Sequence, residues 1–313
     1  MSSAGTFTIV DAHAHVIEHI AGLGRKGESR AVGRGRVRWV SGEEAQLVPE
    51  AWGDASFTHD RLIQVMDEHT ISKAVLMQGS FYGFCNDYTL EAQRKHPGRL
   101  YGMGTFDPYS YEARSIMEHL ISDFRFLGFK FEISRSFGLM GYHPELRLNR
   151  EPMTRIWEFA QEKKLPVSLD LGTFGEPSLQ IQAMKKIAGR YKGIRFVIEH
   201  LFYPGLGHYE DVRAALSQLA PFKNVSFTIA SIPNSLMPEA YPFPSARRYA
   251  GIAKEVVGAQ RILWGSDLPS VAVNAPYRQL IDYVAESGLF SDDELRKVYS
   301  ENAVRVYGLS GTE

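Results

Sequence analysis

The amino-acid sequence predicts an α/β protein, a single (β/α)₈ (TIM) barrel with a long insertion after its first strand. Short β-branched or aromatic runs recur eight times along the 313 residues, and amphipathic, helix-like stretches separate most of them. Alternating strands and helices are typical of a parallel sheet, and eight such units are enough to close a barrel. A doubly wound open sheet is the alternative.

The predicted strands are short runs rich in Val, Ile, Leu and Phe. They are residues 7–13, 73–78, 100–106, 127–133, 165–171, 194–200, 224–230 and 261–266. The clearest helices have apolar residues at helical spacing and are Asp60–His69, Ser110–Asp123, Glu151–Lys164 and Tyr209–Leu219. We expect residues 1–313 to form one domain, because barrels often reach this length as a single domain.

The predicted insertion, residues 16–56, separates the first strand from the first helix. A connection of this length is unusual in a compact domain and is typical of a functional or disordered loop. Residues 24–38 carry one acid, Glu28, and six basic side chains, Arg25, Lys26, Arg30, Arg34, Arg36 and Arg38. The insertion is therefore a candidate lid that supplies a cation to an anionic substrate. A solvated flap or an oligomer contact is the alternative.

Composition and charge narrow the class of protein. The formal net charge is −1, so no overall field favours nucleic acid or a membrane surface as a partner. A single cysteine, Cys85, excludes an intramolecular disulfide and a Cys-rich metal site, and it fits a reducing compartment. No apolar run approaches the ~20 residues of a membrane-spanning helix, and we expect no signal peptide. These features predict a cytoplasmic protein and leave a homo-oligomer open.

The first strand ends in Asp11-Ala12-His13-Ala14-His15. Side chains alternate faces along a strand, so His13 and His15 point the same way. Two imidazoles at one strand end are well placed to bind a borderline-soft cation such as Zn²⁺. An isolated His-x-His is more often a half-buried polar pair, but the acidic end of the last strand at Asp267 favours a metal site.

Other strands also end in ionisable side chains. In a (β/α)₈ barrel the active site lies where the strands end and the βα loops begin. Reading the strand ends in order therefore predicts one shared rim that carries Lys130, Glu132, Asp170, His200 and Asp267. Arg135 and His143 follow the fourth strand and Tyr203 follows the sixth. We predict that Lys130, Glu132, Arg135, His143 and Tyr203 bind the substrate.

Four motifs, taken in this order, resemble the amidohydrolase superfamily. They are Val-Asp-Ala-His-Ala-His at 10–15, Glu-His-Leu at 199–201, Trp-Gly-Ser-Asp-Leu-Pro at 264–269 and Glu-Asn-Ala-Val-Arg-Val-Tyr-Gly-Leu at 301–309. The most similar branch is the amidohydrolase-related group, which includes aromatic-acid decarboxylases and lactone hydrolases. The resemblance implies that His13, His15 and Asp267 bind a divalent metal. It also implies that His200 binds this metal or acts as an acid or base beside it.

The chain departs from the family pattern at the fifth strand. Members with one metal usually end that strand with a histidine ligand, whereas this chain has Asp170. Asp170 could bind Zn²⁺ or Mn²⁺ through oxygen, or accept a hydrogen bond that orients a ligating histidine. Some members carboxylate a fourth-strand lysine to bridge two metals, which would make Lys130 a ligand, and Glu132 could bind metal directly. A buried Lys130–Glu132 ion pair is the alternative to both.

This set of residues predicts one divalent metal ion, Zn²⁺ or alternatively Mn²⁺, which would lower the pKa of a bound water towards ~7. Asp267 could take the proton from that water, and His200 could polarise a carbonyl or move protons. We therefore predict a metal-dependent hydrolase of a small carboxylate-bearing lactone, ester or amide. The first alternative is a metal-dependent, non-oxidative decarboxylase of a hydroxylated aromatic or related unsaturated acid. The second is a barrel without catalytic activity that binds or assembles, suggested only by the replaced histidine.

Overall fold

A computed structural model describes residues 8–309, and its strands and helices alternate over most of that range. The strands are β1 Ile9–Ala14, β2 Leu23–Gly24, β3 Gly27–Gly33, β4 Arg36–Trp39, β5 Glu44–Gln46, β6 Ile71–Met77, β7 Leu100–Met103, β8 Phe129–Glu132, β9 Pro166–Asp170, β10 Arg195–Ile198, β11 Val225–Thr228 and β12 Ile262–Leu263. The helices are α1 His59–Glu68, α2 Asn86–Lys95, α3 Ala113–Glu118, α4 Met153–Lys163, α5 Ile181–Arg190, α6 Tyr209–Leu219, α7 Ile232–Ser235, α8 Pro244–Val257, α9 Tyr277–Ala285, α10 Asp292–Arg296 and α11 Asn302–Tyr307. Among these described residues, no helix has both the length and the apolar character needed to cross a membrane.

Eight of the strands form two parallel sheets. The first sheet has the order β1-β6-β7, and the second has the order β12-β11-β10-β9-β8. Each of the eight predicted strands is present, with bounds that are mostly shorter than predicted; residue 7, where the first was expected to begin, lies outside the described residues. The prediction of an α/β fold with parallel strands is therefore confirmed.

Single backbone bridges join the two sheets at both edges. Gly104 after β7 pairs with Phe129 of β8, and Ala14 of β1 pairs with Leu268 after β12. The His15 N–H donates to the Leu268 carbonyl at 3.0 Å. Regular strand pairing is interrupted at both places, so the strands form two separate sheets. The carboxyl ends of β1 and β12 nevertheless lie side by side.

Residues 16–56 are not a structureless loop, contrary to our expectation. They contain an antiparallel sheet of order β2-β3-β4-β5. Residues of β4 alternate, with Arg36 and Arg38 exposed and Val37 and Trp39 buried. The β3–β4 turn is Gly33-Arg34-Gly35, whose φ angles of 93°, 56° and 70° need residues that tolerate the left-handed region. The hairpin therefore has the period-2 pattern and turn residues of a normal antiparallel pair.

The core consists of strands covered by helices. All six residues of β1 are buried, as expected for a parallel strand packed on both faces. Amphipathic helices bury one side each; α4, for example, buries Ile156, Trp157 and Phe159. The Trp157 and Trp264 indoles are fully buried, and each donates to a backbone carbonyl, at 2.6 and 2.9 Å. Well-packed elements therefore hold the strand ends in place.

Candidate metal and active site

Three side chains from the ends of β1 and β12 meet at one point. The His13 Nε2 and His15 Nε2 atoms are 3.3 Å apart, and Asp267 Oδ1 lies 3.5 Å from the first and 3.1 Å from the second. A tetrahedral ion with bonds of about 2.0–2.1 Å separates neighbouring ligand atoms by about 3.3 Å. The triangle formed by the three atoms matches one face of such a coordination shell.

His200, which follows β10, faces the same point. Its Nδ1 lies 3.0 Å from the Ala230 carbonyl, so Nδ1–H donates there and Nε2 keeps its lone pair. His13, His200 and Asp267 each offer a ligand atom within 4.8 Å of the others. Four of the five predicted ligands, His13, His15, His200 and Asp267, therefore converge; we call them the ligand cluster.

Glu199 orients one of these histidines, a role that the sequence analysis did not predict. The His13 Nδ1–H donates to Glu199 Oε2 at 2.8 Å, and Ser168 and Thr228 hydroxyls also donate to this buried carboxylate. Burial alone would raise the pKa of Glu199, but the adjacent His13 outweighs it and lowers the pKa to about 2. A carboxylate that fixes the proton on Nδ1 leaves Nε2 free to bind a metal.

Asp11 holds the two strand ends together. Its carboxylate accepts hydrogen bonds from the His13 N–H at 3.1 Å, the Ser266 N–H at 2.8 Å and the Tyr277 hydroxyl at 3.0 Å. Gly265 permits this approach, because a Cβ at Gly265 would lie 2.9 Å from the Cβ of His13. These contacts of Asp11 link β1 to the segment that carries Asp267.

The protonation states suit a metal. Burial lowers the pKa of His15 to about 4, so this imidazole is neutral at neutral pH, and its Nδ1 is a buried atom with no hydrogen-bond partner. Burial would raise the pKa of Asp267, but the hydrogen bond from His15 and the neighbouring histidines lower it below its ordinary value. A neutral imidazole and an ionised carboxylate are the forms that bind divalent cations, so His15 and Asp267 fit a metal ion. Burial would lower the pKa of His13, but the Glu199 carboxylate outweighs it and raises that pKa, so metal binding at His13 would release a proton.

Strained backbone is concentrated around the ligand cluster. His200, Tyr203, Ser231 and Asp267 have φ angles of 58°, 47°, 60° and 63°, and all four line the same cavity. A residue other than glycine in this region costs of order 1–3 kcal/mol and persists only where the surrounding structure enforces it. Such strain is typical of functional sites, and here it directs side chains into the cavity.

The cavity above the ligand cluster has a volume of about 370 Å³, which suits a small molecule. Among the predicted substrate-binding residues, Lys130, Glu132 and Tyr203 line it. Lys130 Nζ lies 3.9 Å from Glu132 Oε2, and both side chains are buried, as in the predicted ion pair. Burial raises the pKa of Glu132, although Lys130 opposes the shift.

Asp170, the predicted fifth ligand, lies in the cavity wall. Its Oδ1 accepts a hydrogen bond from the Gly172 N–H at 2.8 Å. It is not part of the group of donor atoms that lie within 4.8 Å of one another in the described chain. Its carboxylate therefore faces the cavity beside the ligand cluster, where it also favours the protonated form of Glu132.

Two of the predicted substrate-binding residues, Arg135 and His143, lie outside this cavity. Arg135 is exposed and does not line the cavity, because the chain turns outward after Ser134 and the Arg135 N–H donates to Ser178 Oγ. His143 lies outside the cavity as well: its Nε2 is 2.8 Å from Asp107 Oδ2, and its ring stacks on Tyr109 with centroids 4.3 Å apart.

The antiparallel sheet of residues 16–56 supplies part of the cavity wall. Lys26, Trp39 and Gln46 line the cavity, and Lys26 Nζ lies 4.9 Å above the Trp39 ring while pairing with Glu43. The arginines expected to form a cationic lid do not line it; Arg36 and Arg38 pair with Glu44, and Arg34 pairs with Glu50. The segment thus faces the cavity through Lys26 and Trp39.

Comparisons with known proteins give a family match over nearly the whole chain and a curated relative that matches part of it. Residues 10–309 match the sequence profile of a family described as amidohydrolase. An L-fucono-1,5-lactonase from Burkholderia ambifaria is 34% identical over 94 residues, which is 28% of this chain and 31% of the lactonase. The match therefore spans about a third of that curated relative.

Two solved structures are similar along the full chain. An amidohydrolase from Burkholderia multivorans, solved with bound zinc, has a TM-score of 0.74 at 15% identity and covers 97% of this chain and 100% of its own. A probable 2-pyrone-4,6-dicarboxylic acid hydrolase from Acinetobacter baumannii, with citric acid bound, has a TM-score of 0.68 at 19% identity and covers 96% and 100%. At these identities the likeness concerns the fold.

Proposed function

The chain belongs to the amidohydrolase family and is an enzyme of that family, and we propose that it is a metal-dependent hydrolase of a small carboxylate-bearing lactone, with an ester or amide as other substrates of the same class. The family membership confirms the resemblance drawn from the four sequence motifs. The observation that carries the proposal is the triangle of His13 Nε2, His15 Nε2 and Asp267 Oδ1 at the base of a cavity.

The proposed architecture is a (β/α)₈ barrel in which the two parallel sheets form one wall. Support comes from the strand orders and from the single bridges at both sheet edges. In such a barrel the catalytic residues lie at the carboxyl ends of the strands, which is where the ligand cluster is found. Residues 16–56 would then be an insertion after the first barrel strand that covers this end.

Zn²⁺ is the proposed metal, held by His13, His15, Asp267 and His200. Support comes from the nitrogen-rich donor set and from the zinc in the Burkholderia multivorans amidohydrolase. When bound, such an ion supplies a lowered water pKa and polarisation of a carbonyl. Mn²⁺ is the alternative, since an added carboxylate such as Asp170 would favour a harder ion.

Asp267 is the proposed proton acceptor. Its ionised carboxylate can take a proton from the attacking water as the water oxygen bonds to the lactone carbonyl carbon. The ring C–O bond then breaks, and the same proton passes to the departing alkoxide oxygen, which leaves a hydroxy acid. His200, fixed at Nδ1 by Ala230, is placed to offer Nε2 to the metal beside the carbonyl.

The cavity wall supplies the proposed substrate contacts. Lys130 and Lys26 are the two lysines among the lining residues that the structure describes, so they are the proposed partners of the substrate carboxylate. Trp39 and Phe81 present flat apolar surfaces, with ring centroids 6.3 Å apart, that suit a planar or puckered ring.

A substrate panel tests the proposal. Zinc-loaded protein is assayed with an L-fucono-1,5-lactone, 2-pyrone-4,6-dicarboxylate and simple esters, following acid release with a pH indicator. We expect ring opening of at least one lactone, and loss of that activity in His13→Asn. Lactone hydrolysis that survives in the His13→Asn/His15→Asn protein would contradict metal-dependent catalysis at this site.

Decarboxylation remains the second candidate because of Glu132. A buried carboxylic acid with a raised pKa can stay protonated and deliver a proton to a ring carbon as CO₂ departs. The measurement is CO₂ release from hydroxylated benzoates under the conditions of the lactone assay. CO₂ release without any hydrolysis product would replace the first proposal.

A further inference from the structure

A second cluster of metal-binding side chains lies outside the cavity, at the junction of α1 and α2. His59 and Asp60 are the first two residues of α1, and His96 follows the last residue of α2. The His59 Nδ1 and His96 Nε2 atoms are 3.1 Å apart, and each lies 3.2 Å from Asp60 Oδ1. None of the three lines the cavity described above.

The three atoms form a nearly equilateral triangle. Its edges of 3.1, 3.2 and 3.2 Å are close to the separation of about 3.3 Å between neighbouring ligands of a tetrahedral zinc ion. Two imidazole nitrogens and one carboxylate oxygen are also ligands that Zn²⁺ accepts. His59 is 3% exposed, so part of this donor set is fixed by packing.

The surroundings suit the His59 tautomer that offers its Nδ1 lone pair to the triangle. The other nitrogen of His59, Nε2, lies 3.5 Å from Glu91 Oε1, so a proton on Nε2 leaves Nδ1 unprotonated. Lys95 Nζ holds the second Asp60 oxygen at 3.1 Å, and this contact lowers the pKa of Asp60. A carboxylate facing the outer nitrogen of a ligating histidine is the usual environment of a metal-binding imidazole.

We propose that His59, Asp60 and His96 form a second divalent-metal site that binds Zn²⁺ and joins the start of α1 to the end of α2. A bound ion would pair with the lone pairs of all three atoms at once. One proton shared among the three atoms could not do so. The site is next to Phe57 in the sequence. The Phe57 backbone pairs with that of Ile17, so the two ends of residues 16–56 lie together just before α1 begins. The role of this site is therefore structural, because bound metal would tie together two helices that flank β6.

Zinc stoichiometry tests the proposal. Protein stripped of metal is titrated with Zn²⁺ against a chromogenic chelator in four forms: wild type, His13→Asn/His15→Asn, His96→Gln, and the combination. We expect two, one, one and no ions per chain. If the cavity site binds no metal, the expected numbers of zinc ions for the same four forms become one, one, none and none. Failure of the proposed function and failure of this second site therefore give different patterns.

A stability measurement provides an independent readout. In the His13→Asn/His15→Asn background, Zn²⁺ should raise the thermal unfolding midpoint, and His96→Gln should abolish that rise. His119→Gln is the matched control, because exposed His119 pairs with Asp123 and contacts the Phe124 ring, outside the triangle; it should leave the rise intact. The proposal is overturned if zinc stoichiometry and the midpoint shift are the same with and without His96→Gln.

Discussion

At the residue scale, Asp267 has two proposed roles, metal ligand and proton acceptor. Asp267→Asn keeps the shape of the side chain but removes the negative charge and the basic oxygen. We expect kcat to fall by about 10²–10⁴-fold, the usual contribution of a general base, with little change in the thermal unfolding of the metal-free protein. The measurement is steady-state hydrolysis together with a thermal melt.

A matched carboxylate controls this experiment. Asp282, like Asp267, has a side chain that is 14% exposed, but it pairs with Arg278 on α9 and does not line the cavity. Asp282→Asn should therefore retain wild-type kcat. If Asp267→Asn also retained it, Asp267 would have no part in the reaction.

Gly79 shows how close the packing behind the cavity is. A Cβ at Gly79 would lie 2.4 Å from Glu132 Oε2 and 2.8 Å from Lys130 Nζ. Gly79→Ala should displace this ion pair and lower kcat/KM by about tenfold, or ~1.4 kcal/mol. Gly251→Ala in α8 is the control: its Cβ meets Leu289 at an ordinary 3.6 Å, and a helical alanine should stabilise by about 0.5–1 kcal/mol. Equal activity in the two variants would contradict a role for the Lys130–Glu132 geometry.

Cys85, which does not line the cavity, gives a pH-dependent prediction. Burial, and to a smaller extent Glu18, raises the pKa of its thiol to about 11. Because the thiolate is the reactive form, alkylation should be slow at pH 8 and should accelerate about tenfold per pH unit up to pH ~10. The rate of reaction with iodoacetamide measures this. Unfolded protein in urea is the control, and its alkylation rate should level off near pH 8.5. If the folded protein gave the same pH profile, burial would not control the pKa of the thiol.

At the element scale, the antiparallel sheet β2–β5 turns one face to the cavity and the other to solvent. Lys26→Gln should raise KM for a carboxylate-bearing substrate by about tenfold and change KM little for a neutral analogue, since one charge contact is lost. Arg36→Gln/Arg38→Gln is the control, because both arginines are about half exposed and pair with Glu44. Kinetics with a charged and a neutral lactone measure the difference. Equal effects of the two variants on KM would show that Lys26 makes no direct contact with the substrate carboxylate.

At the scale of the whole molecule, metal binding at the ligand cluster should stabilise the fold. In His96→Gln protein, which lacks the second proposed site, Zn²⁺ at a hundredfold excess over its Kd should add about 2.7 kcal/mol to the free energy of unfolding. Chelator treatment should remove both this increment and the activity, and Zn²⁺ should restore them. A thermal melt with and without metal measures the effect, and an unchanged midpoint would contradict metal binding there.

The sequence predicted the elements whose signals are local. The eight parallel strands were visible because each is a short apolar run between helical segments, and α6 was predicted at its observed bounds. The sheet of residues 16–56 was missed, although Arg36-Val37-Arg38-Trp39 alternates with period 2, because its strands are short and many of their side chains are exposed. The many glycine and arginine residues of this segment indicated a loop instead of strands.

The candidate site was predictable to the extent that strand ends define it. His13, His15, His200 and Asp267 were found because parallel strands end at a common edge. Glu199 was missed because strand alternation points it away from His200, whereas β10 ends at Ile198 and His200 begins a left-handed turn. Arg135 and His143 were misplaced because the course of a loop after its strand depends on distant partners such as Ser178 and Asp107.

The order of strands and helices, the family motifs and the identity of the candidate ligand side chains followed from the sequence by itself, since periodicity and strand-end position are local properties. Only the tertiary structure decided which atoms meet: the Glu199–His13 contact, the cavity wall from Trp39 and Lys26, and the His59–Asp60–His96 triangle. These contacts join residues up to 186 positions apart. Packing of the whole chain determines such distances, and no local pattern encodes them.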